Sequence, residues 1–350
     1  MLRIENLTKI YGSHKAVDDL SLHIAPGEIY GFIGHNGAGK TTTLKSVAGI
    51  LRFDAGEILI NGKSIKAEPV ACKREMAYIP DNPDMYEFLS GIKYLNFVAD
   101  IYGMTKAERE ERITKYADMF EITKDLAQPV SAYSHGMKQK LALACTLVSD
   151  PKLILLDEPF SALDTYLKWQ LEQEMYKHLK EAGKPVIFVS HNRDEVYRLC
   201  DTVSCMNRGK MEVMEPLKEF FQNPKTRTAA ILSGCKNISA AERVDAHTLR
   251  AVDWGVTLHV KEREIADDIR AVGIRAHFLA TVERPGEENV FPVNESEIWE
   301  DPFEWNISFR KNAECSWLQW KIAKTDWSPE MGIPKELYLK EEDILLLTDS

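Results

Sequence analysis

The stretch from Ile29 to Thr42, IYGFIGHNGAGKTT, decides the fold class. Its apolar run, Ile29 to Ile33, leads into the loop Gly34-His35-Asn36-Gly37-Ala38-Gly39-Lys40-Thr41-Thr42, and a helical pattern follows from Thr43 to Ala48. A loop with the spacing G-x-x-x-x-G-K-[ST] between a strand and a helix typically binds phosphate. Its backbone N–H groups and the positive end of the helix dipole both face the anion. Lys40 would reach the β and γ oxygens, and the Thr41 hydroxyl can bind Mg²⁺. A glycine-rich turn with a chance Lys-Thr is the alternative, and the order of strand, loop and helix argues against it.

Further short apolar runs predict an α/β fold. Leu153 to Leu156 and Val186 to Val189 are flanked by helical patterns, which is typical of buried parallel strands. An antiparallel layer is predicted from a second set of runs, with a hairpin turn at Asn61-Gly62: Leu2 to Leu7, Leu20 to Ile24 and Ile58 to Ile60. A helical subdomain is predicted at about 87–149, where Thr105 and Glu108 form a capping box. A further helix is expected from Thr165 to Ala182, ended by Gly183 and Pro185.

The length of 350 residues predicts two or three domains. With 44% hydrophobic and 28% charged residues, the composition is that of a folded protein rather than a disordered or fibrous one. No apolar run reaches the roughly 18 to 20 residues that span a bilayer, and no secretory signal is recognisable. We therefore expect a cytoplasmic chain that touches a membrane only through partners. The six cysteines include no C-x-x-C pair, which favours reduced, buried thiols.

The C-terminal part differs in character from the rest. Six of the seven tryptophans lie beyond residue 250, among β-prone runs such as Gly255 to Val260 and Gly273 to Leu279. We predict a boundary near residues 224–235, with one domain at 1–223 and a small, mostly β accessory domain at 224–350. From Lys236 onward 14 basic residues face 23 acidic ones, and this negative charge argues against a nucleic-acid partner.

Three side chains follow predicted strands and are candidates for chemistry. Asp157 and Glu158 end the run Leu153 to Leu156, at the edge where a parallel sheet opens its ligand crevice. Asp157 would hold Mg²⁺, and Glu158 would polarise the attacking water, because phosphoryl transfer depends on positioning and charge stabilisation. His191 follows the run Val186 to Val189 and could bond a γ-phosphate. The alternatives are a solvated acidic turn and a structural histidine.

A helix start completes the pattern. Ser134, in Tyr133-Ser134-His135-Gly136-Met137, is a natural N-cap, and its hydroxyl and the N–H groups beside it make a second anion site. In this order, the phosphate loop, Ser134-His135-Gly136, Leu156-Asp157-Glu158, Ser161-Ala162-Leu163-Asp164 and His191 resemble the ATP-binding cassette (ABC) ATPases that power membrane transporters. The resemblance covers about residues 1–222.

This resemblance implies a P-loop nucleoside triphosphatase of the ABC type, with ATP and Mg²⁺ bound between two subunits placed head to tail. ATP would be bound in one chain by Tyr11, which stacks on adenine, and by the loop residues Gly34, Asn36, Gly37, Ala38, Gly39, Lys40, Thr41 and Thr42. Thr41 and Asp157 would hold the metal, while Lys40, Glu158 and His191 would serve catalysis. Ser134, His135 and Gly136 would act from the other subunit, and Asp164 would cross the interface. Tyr11 as a core residue of the antiparallel layer remains an alternative.

Two motifs depart from the family pattern. The signature has Tyr133, His135 and Met137 where the commonest form has leucine, glycine and glutamine. Asp81 stands where the family usually places a glutamine near Mg²⁺, so the metal-contact role of Asp81 is open against an ordinary Pro-Asp-Asn turn.

The subfamily features are mixed. Residues 79–87 and the signature resemble exporter-type cassettes, whereas His191 to Tyr197, Ser233 to Ser239 and Gly273 to His277 resemble molybdate- and sulfate-type importer cassettes with a regulatory domain. The resemblance implies a homodimer or paired cassette, integral membrane permease subunits and, for an importer, a substrate-binding protein. It places this chain in the cytoplasm, peripheral on the inner face of the cell membrane. A regulatory oxyanion could be bound by Lys236, Asn237 and Arg275, or the accessory domain could serve dimerisation alone. A non-transport ABC ATPase and a nucleotide-dependent regulator without turnover are the rival functions.

Overall fold

The computed structural model describes residues 1–82, 84–161, 165–281 and 288–349. The chain divides into two compact units, Met1–Leu217 and Lys218–Ser350. The sequence places the domain boundary slightly later, after residue 223, so that the helix Leu217–Gln222 is assigned differently by the two divisions. Each unit is described by itself below.

The first unit contains ten strands and seven α-helices among its described residues. The strands are β1 (Leu2–Tyr11), β2 (His14–Ile24), β3 (Ile29–Ile33), β4 (Ala55–Ile60), β5 (Lys63–Ser64), β6 (Met76–Ile79), β7 (Leu153–Asp157), β8 (Val186–Val189), β9 (Thr202–Asn207) and β10 (Lys210–Pro216). The helices are α1 (Lys40–Val47), α2 (Pro69–Arg74), α3 (Gly91–Ile101), α4 (Lys106–Met119), α5 (His135–Val148), α6 (Thr165–Ala182) and α7 (Arg193–Leu199).

A six-stranded sheet with the order β10-β9-β3-β8-β7-β6 forms the centre of this unit. All neighbouring pairs are parallel except β9 with β10. Every residue of β3, β7 and β8 is buried, which explains why these strands are continuous apolar runs in the sequence. The predicted parallel strands are confirmed, and their carboxyl ends meet at one edge of the sheet.

The predicted antiparallel layer is also confirmed, as a sheet with the order β2-β1-β4-β5. Its hairpin turn has positive φ angles at Asn61 (51°) and Gly62 (79°), which an Asn-Gly pair adopts at little cost. Buried side chains of this sheet, such as Ile4 and Ile58, share one apolar core with Phe32 of the central sheet.

Helices α3, α4 and α5 form the helical subdomain, as predicted. The capping box at the start of α4 is present: the Thr105 N–H donates to Glu108 Oε2 (3.0 Å), and the Glu108 N–H donates to Thr105 Oγ1 (3.3 Å). Ser134 caps α5, because its Oγ accepts from the Met137 N–H at 3.3 Å. Helix α6 has the predicted bounds, and Gly183 follows it with a φ of 60°. No helix among the described residues is long and apolar enough to cross a bilayer.

The second unit is rich in β-structure, as predicted. Its elements are α8 (Leu217–Gln222), α9 (Arg227–Leu232), β11 (Asn237–Arg243), β12 (Thr248–Ala251), β13 (Val256–His259), β14 (Ile269–Ile274), β15 (Ala280–Thr281), β16 (Val290–Pro292), β17 (Glu295–Glu300), β18 (Glu304–Arg310), β19 (Leu318–Ala323), β20 (Glu336–Tyr338) and β21 (Leu345–Thr348). They form antiparallel sheets with the orders β13-β12-β11-β14-β21, β15-β20-β16 and β17-β18-β19. Trp254, Trp320 and Trp327 are buried in the shared core.

One predicted strand in this unit is wrong. The run Gly273 to Leu279 contributes only its first two residues to β14, and the chain then turns, with the Phe278 N–H donating to the Arg275 carbonyl at 3.0 Å. In this turn the Arg275 side chain donates to the carbonyls of Phe221 and Ser233.

Candidate nucleotide site

The phosphate loop joins the buried strand β3 to α1, which begins at Lys40. Gly37 and Gly39 have φ angles of 82° and 106°, in the region that favours glycine. The Lys40 ammonium donates to the carbonyls of Gly34 (2.6 Å) and His35 (3.1 Å), so the loop folds around its own lysine. Burial lowers the pKa of Lys40, and the nearby Glu158 and Asp157 carboxylates oppose that shift.

A cavity of about 760 Å³ lies at this edge of the sheet, within the size range of small-molecule sites. It brings together most of the residues that the sequence analysis singled out. Its walls are formed by His14, Ala16, Asn36, Gly37, Ala38, Gly39, Lys40, Thr41, Thr42, Lys45, Tyr78, Pro80, Asp81, Asn82, Asp157, Glu158, Ser161 and His191. Gly34 sits at the base of the loop, where a Cβ would lie 2.4 Å from the Met206 carbonyl oxygen.

Asp157 ends β7 and faces the loop across the cavity. Its Oδ1 accepts from the Thr41 hydroxyl, and its Oδ2 accepts from the Tyr78 hydroxyl, both at 3.1 Å. Burial raises the pKa of Asp157, and these two hydrogen bonds oppose the shift. No role for Tyr78 is predicted from the sequence. Only its place on β6, the strand beside β7, could have indicated a contact with Asp157.

Glu158 and His191 lie together at the ends of β7 and β8. The His191 Nδ1 is 2.8 Å from Glu158 Oε2. Glu158 has a φ of 50°, and its N–H donates to the Val189 carbonyl at 2.9 Å, which fixes the backbone at the cavity edge. Burial raises the pKa of Glu158, while the contact with His191 lowers it.

Asp81 is a third carboxylate on the cavity wall. It accepts a hydrogen bond from the Ser161 hydroxyl, which ties the loop after β6 to the turn after Glu158. The Thr41 hydroxyl and the carboxylates of Asp157 and Asp81 supply hard oxygen atoms, the donor set that Mg²⁺ prefers. The residues present therefore fit a magnesium ion beside bound phosphates.

Tyr11 ends β1 and is 49% exposed, which excludes the alternative of a core tyrosine. The Lys9 ammonium lies 5.1 Å from the centre of its ring. The cavity walls nearest to Tyr11 along the chain are His14 and Ala16, on the neighbouring strand β2.

The signature residues lie apart from this cavity. Ser134 and His135 are exposed at the start of α5, Gly136 is half-buried, and none of the three is among the described residues that form the cavity wall. Asp164, predicted at a dimer interface, lies outside the described residues.

Two of the three predicted oxyanion ligands are engaged within the second unit. The Asn237 side chain donates to the Gln319 carbonyl (2.8 Å) and accepts from the Gln319 N–H (2.7 Å), so it acts as a link between strands. Arg275 donates to the Ser233 carbonyl at 2.9 Å and to the Phe221 carbonyl. Both side chains are thus hydrogen-bonded within the second unit, which argues against the oxyanion hypothesis.

A phosphate loop facing two carboxylates and a histidine at the edge of a parallel sheet defines a P-loop nucleoside triphosphatase. Comparison with known proteins agrees: the ABC transporter family model matches residues 17–161. YhcH of Bacillus subtilis (strain 168), an uncharacterized ABC transporter ATP-binding protein, is 36% identical over 240 residues, covering 66% of this chain and 77% of YhcH.

One relative is also similar over part of the second unit, and one similar solved structure is a dimer. The spermidine/putrescine import ATP-binding protein PotA of Pseudomonas aeruginosa (strain UCBPP-PA14) is 29% identical over 299 residues, covering 85% of this chain and 78% of PotA. The dimeric structure of MJ0796, a bacterial ABC transporter cassette, has a TM-score of 0.57 at 25% identity, covering 62% of this chain and 99% of that one. The chain belongs to the ABC transporter ATP-binding proteins, and it is an ATP-hydrolysing subunit.

Proposed function

We propose that two cassettes close head to tail on two ATP molecules and that hydrolysis drives transport through separate membrane subunits. One observation carries this proposal: the phosphate loop, both carboxylates and His191 share one cavity, whereas the Ser134 helix start is exposed outside it. An exposed N-terminus of a long helix is suited to a phosphate brought by another molecule.

Within one chain, the loop from Gly34 to Thr42 would hold the phosphates. Lys40 would exchange its bonds with the loop carbonyls for bonds with the β and γ oxygens, which compensate its buried charge better. Mg²⁺ would be held by Thr41 and Asp157, with Asp81 as a further oxygen donor, and when bound it neutralises phosphate charge. Tyr11 would stack on the adenine.

Glu158 would act as the base for the attacking water, since burial makes its carboxylate a better proton acceptor than an exposed one. His191 would orient Glu158 and contact the γ-phosphate. To test these roles, phosphate release should be measured for Lys40→Ala, Glu158→Gln and His191→Ala beside the wild type. We expect lost ATP binding for Lys40→Ala, and for the other two normal binding with slow turnover; wild-type turnover in all three would refute the assignment.

The same variants test the head-to-tail dimer with ATP bound between its two cassettes. Glu158→Gln should accumulate an ATP-bound dimer, visible by light scattering, because it binds ATP without consuming it. Adding Ser134→Ala should weaken that dimer, since a phosphate contact from the second subunit is lost. A Glu158→Gln protein that stays monomeric at saturating ATP would contradict this arrangement. Asp164 is proposed to cross the same interface, together with His135 and Gly136.

Membrane subunits are the proposed partners, which would place the protein on the inner face of the membrane. Family resemblance puts their docking site near residues 83–88. In support, Tyr86, Phe88 and Phe97 are exposed aromatic side chains, and the Tyr86 ring lies 5.9 Å from each of the other two. Co-purification of a membrane permease with the wild type, and its loss with Phe88→Asp, would test this docking.

The cargo and its direction stay open between import and exporter-type efflux. The similarity to PotA covers 85% of this chain and so extends beyond the first unit, which favours an importer with a regulatory second domain at 224–350. PotA itself is named for spermidine/putrescine import. Calorimetric titration of the full chain with molybdate, tungstate, sulfate and spermidine, with the phosphate loop filled by a non-hydrolysable ATP analogue, would show whether the second domain binds any of them. If none of the four compounds binds, a domain that serves dimerisation alone is favoured.

The non-transport alternatives make different predictions. A non-transport ABC ATPase would hydrolyse ATP without co-purifying with any membrane permease. A regulator without turnover would bind ATP and release no phosphate, with or without membrane partners.

A further inference from the structure

Glu195 is a buried carboxylate that the assignments above leave without a role. It lies on α7, is 2% exposed, and is not among the described residues that line the nucleotide cavity. Burial of a carboxylate is costly, and a well-packed apolar residue is often no worse for stability. Its partners therefore indicate what the charge does.

Two groups meet the two oxygens of Glu195. The Lys168 ammonium, on α6, pairs with Oε1, and the Ser190 hydroxyl donates to Oε2 at 2.7 Å. The Ser190 Oγ also accepts from the Asn192 N–H at 3.0 Å. The hydroxyl is thus fixed as a donor to Glu195 and an acceptor from the backbone.

The same hydroxyl lies beside the reacting groups. Ser190 Oγ is 3.4 Å from Glu158 Oε2, the oxygen that faces His191 Nδ1 at 2.8 Å. A hydroxyl has one proton, and both carboxylates are acceptors only, so Glu195 and Glu158 compete for that proton. His191 is 63% exposed, so little packing holds its ring and its contact with Glu158 is easily displaced.

We propose that Glu195 is a positioning residue for ATP hydrolysis: it keeps the Ser190 proton away from the Glu158 oxygen that faces His191. Lys168 holds Glu195 in the orientation that does this. The inference rests on the proposed roles of Glu158 and His191, and it adds a residue that touches neither ATP nor the reacting water.

Glu195→Gln is the sharpest variant because it keeps shape and volume. Lys168 will hold the single amide oxygen, which turns the NH₂ group towards Ser190 and releases the hydroxyl proton to Glu158. We expect kcat to fall about tenfold, a fraction of the full general-base contribution, with the KM for ATP within about twofold. Glu195→Ala should lose turnover in the same way.

The decisive measurement is the double variant Glu195→Gln/Ser190→Ala. Removing the hydroxyl removes the competing proton, so kcat should recover to within about threefold of wild type, whereas removing a second hydrogen bond can only worsen a structural defect. Glu172→Gln is a control for the loss of a buried carboxylate: Glu172 is 1% exposed on α6, accepts from Arg198, and bonds neither Ser190 nor Glu158, although its charge also acts on Glu195 and Lys168. It should lower the melting temperature and leave kcat within about twofold.

A double variant as slow as Glu195→Gln, or a Glu195→Gln with wild-type kcat, overturns the inference. The two levels of failure are separable. If Glu158→Gln and His191→Ala turn over ATP normally, the proposed roles fail and this inference fails with them. If those two are slow while Glu195→Gln is not, only the role of Glu195 is lost.

Discussion

Alanine at Gly39 should damage the phosphate loop far more than alanine at Gly37, two residues earlier. Both glycines have positive φ, 106° and 82°, but their surroundings differ. A Cβ on Gly39 would lie 2.3 Å from the Ala16 carbonyl oxygen, whereas a Cβ on Gly37 would meet nothing within 4 Å. In the nucleotide-free protein, Gly37→Ala is therefore a control for the backbone strain alone.

The expected sizes follow from these two effects. Left-handed backbone costs an ordinary residue roughly 1–2 kcal/mol, which is the whole cost expected for Gly37→Ala in the free energy of unfolding. Gly39→Ala adds an overpacking cost of roughly 1–3 kcal/mol, because the loop and the β2 backbone must separate by roughly 1 Å. A displacement of that size at a reactive site costs about 100-fold in function.

Thermal unfolding of the nucleotide-free protein and titration with a fluorescent ATP analogue measure both effects. At about 2–4 °C per kcal/mol, Gly39→Ala should melt roughly 2–12 °C below Gly37→Ala, with at least tenfold weaker nucleotide binding. Equal melting temperatures and equal affinities for the two variants would refute the reasoning, since the Ala16 contact would then carry no cost.

Three further outcomes are expected. Burial raises the folded-state pKa of Glu158 above its ordinary 4.5, so the folded protein binds this proton more tightly than the unfolded chain and stability falls as pH rises through that window. Glu158→Gln should therefore raise the melting temperature of the nucleotide-free protein at neutral pH, and the gain should vanish below about pH 4; a gain that is the same at both pH values would contradict this. Thr105→Ala should lower the free energy of unfolding, measured in urea, by about 1 kcal/mol, because it removes the cap of α4. An unchanged ATP affinity would show that the effect is confined to that helix. Asn237→Ala should cost about 3 kcal/mol, because the Gln319 N–H and carbonyl lose their partners, and a cost below about 1 kcal/mol would show that water replaces the amide.

The parts of the fold that follow from local rules could be predicted from the sequence. The phosphate loop, the turn at Asn61-Gly62 and the capping box at Thr105 each depend on residue types a few positions apart, and the structure forms each of them. The strand predicted at Gly273 to Leu279 failed because β-propensity describes a residue's fit to a sheet. It does not report contacts with residues distant in the sequence, such as those of Arg275 with Phe221 and Ser233.

In the site, too, some contacts could be predicted from the sequence and others could not. Asp157, Glu158 and His191 could be placed together because carboxyl ends of neighbouring parallel strands share an edge. The Tyr78 contact with Asp157 and the Ser190 contact with Glu195 could not, because they depend on side-chain directions at the strand ends. The roles of the signature residues stay a prediction, since Ser134 lies outside the cavity of its own chain.

The pairing of β14 with β21 has a consequence for biosynthesis. The second unit places Leu345–Thr348 beside Ile269–Ile274, so this edge strand cannot join its sheet until residues 345–348 have left the ribosome. The first unit has all its strands by Pro216 and can fold while translation of the remainder continues. A nascent chain stalled before residue 345 would thus present a finished first unit attached to a sheet in which the β14 edge is unpaired, the kind of intermediate that chaperones recognise.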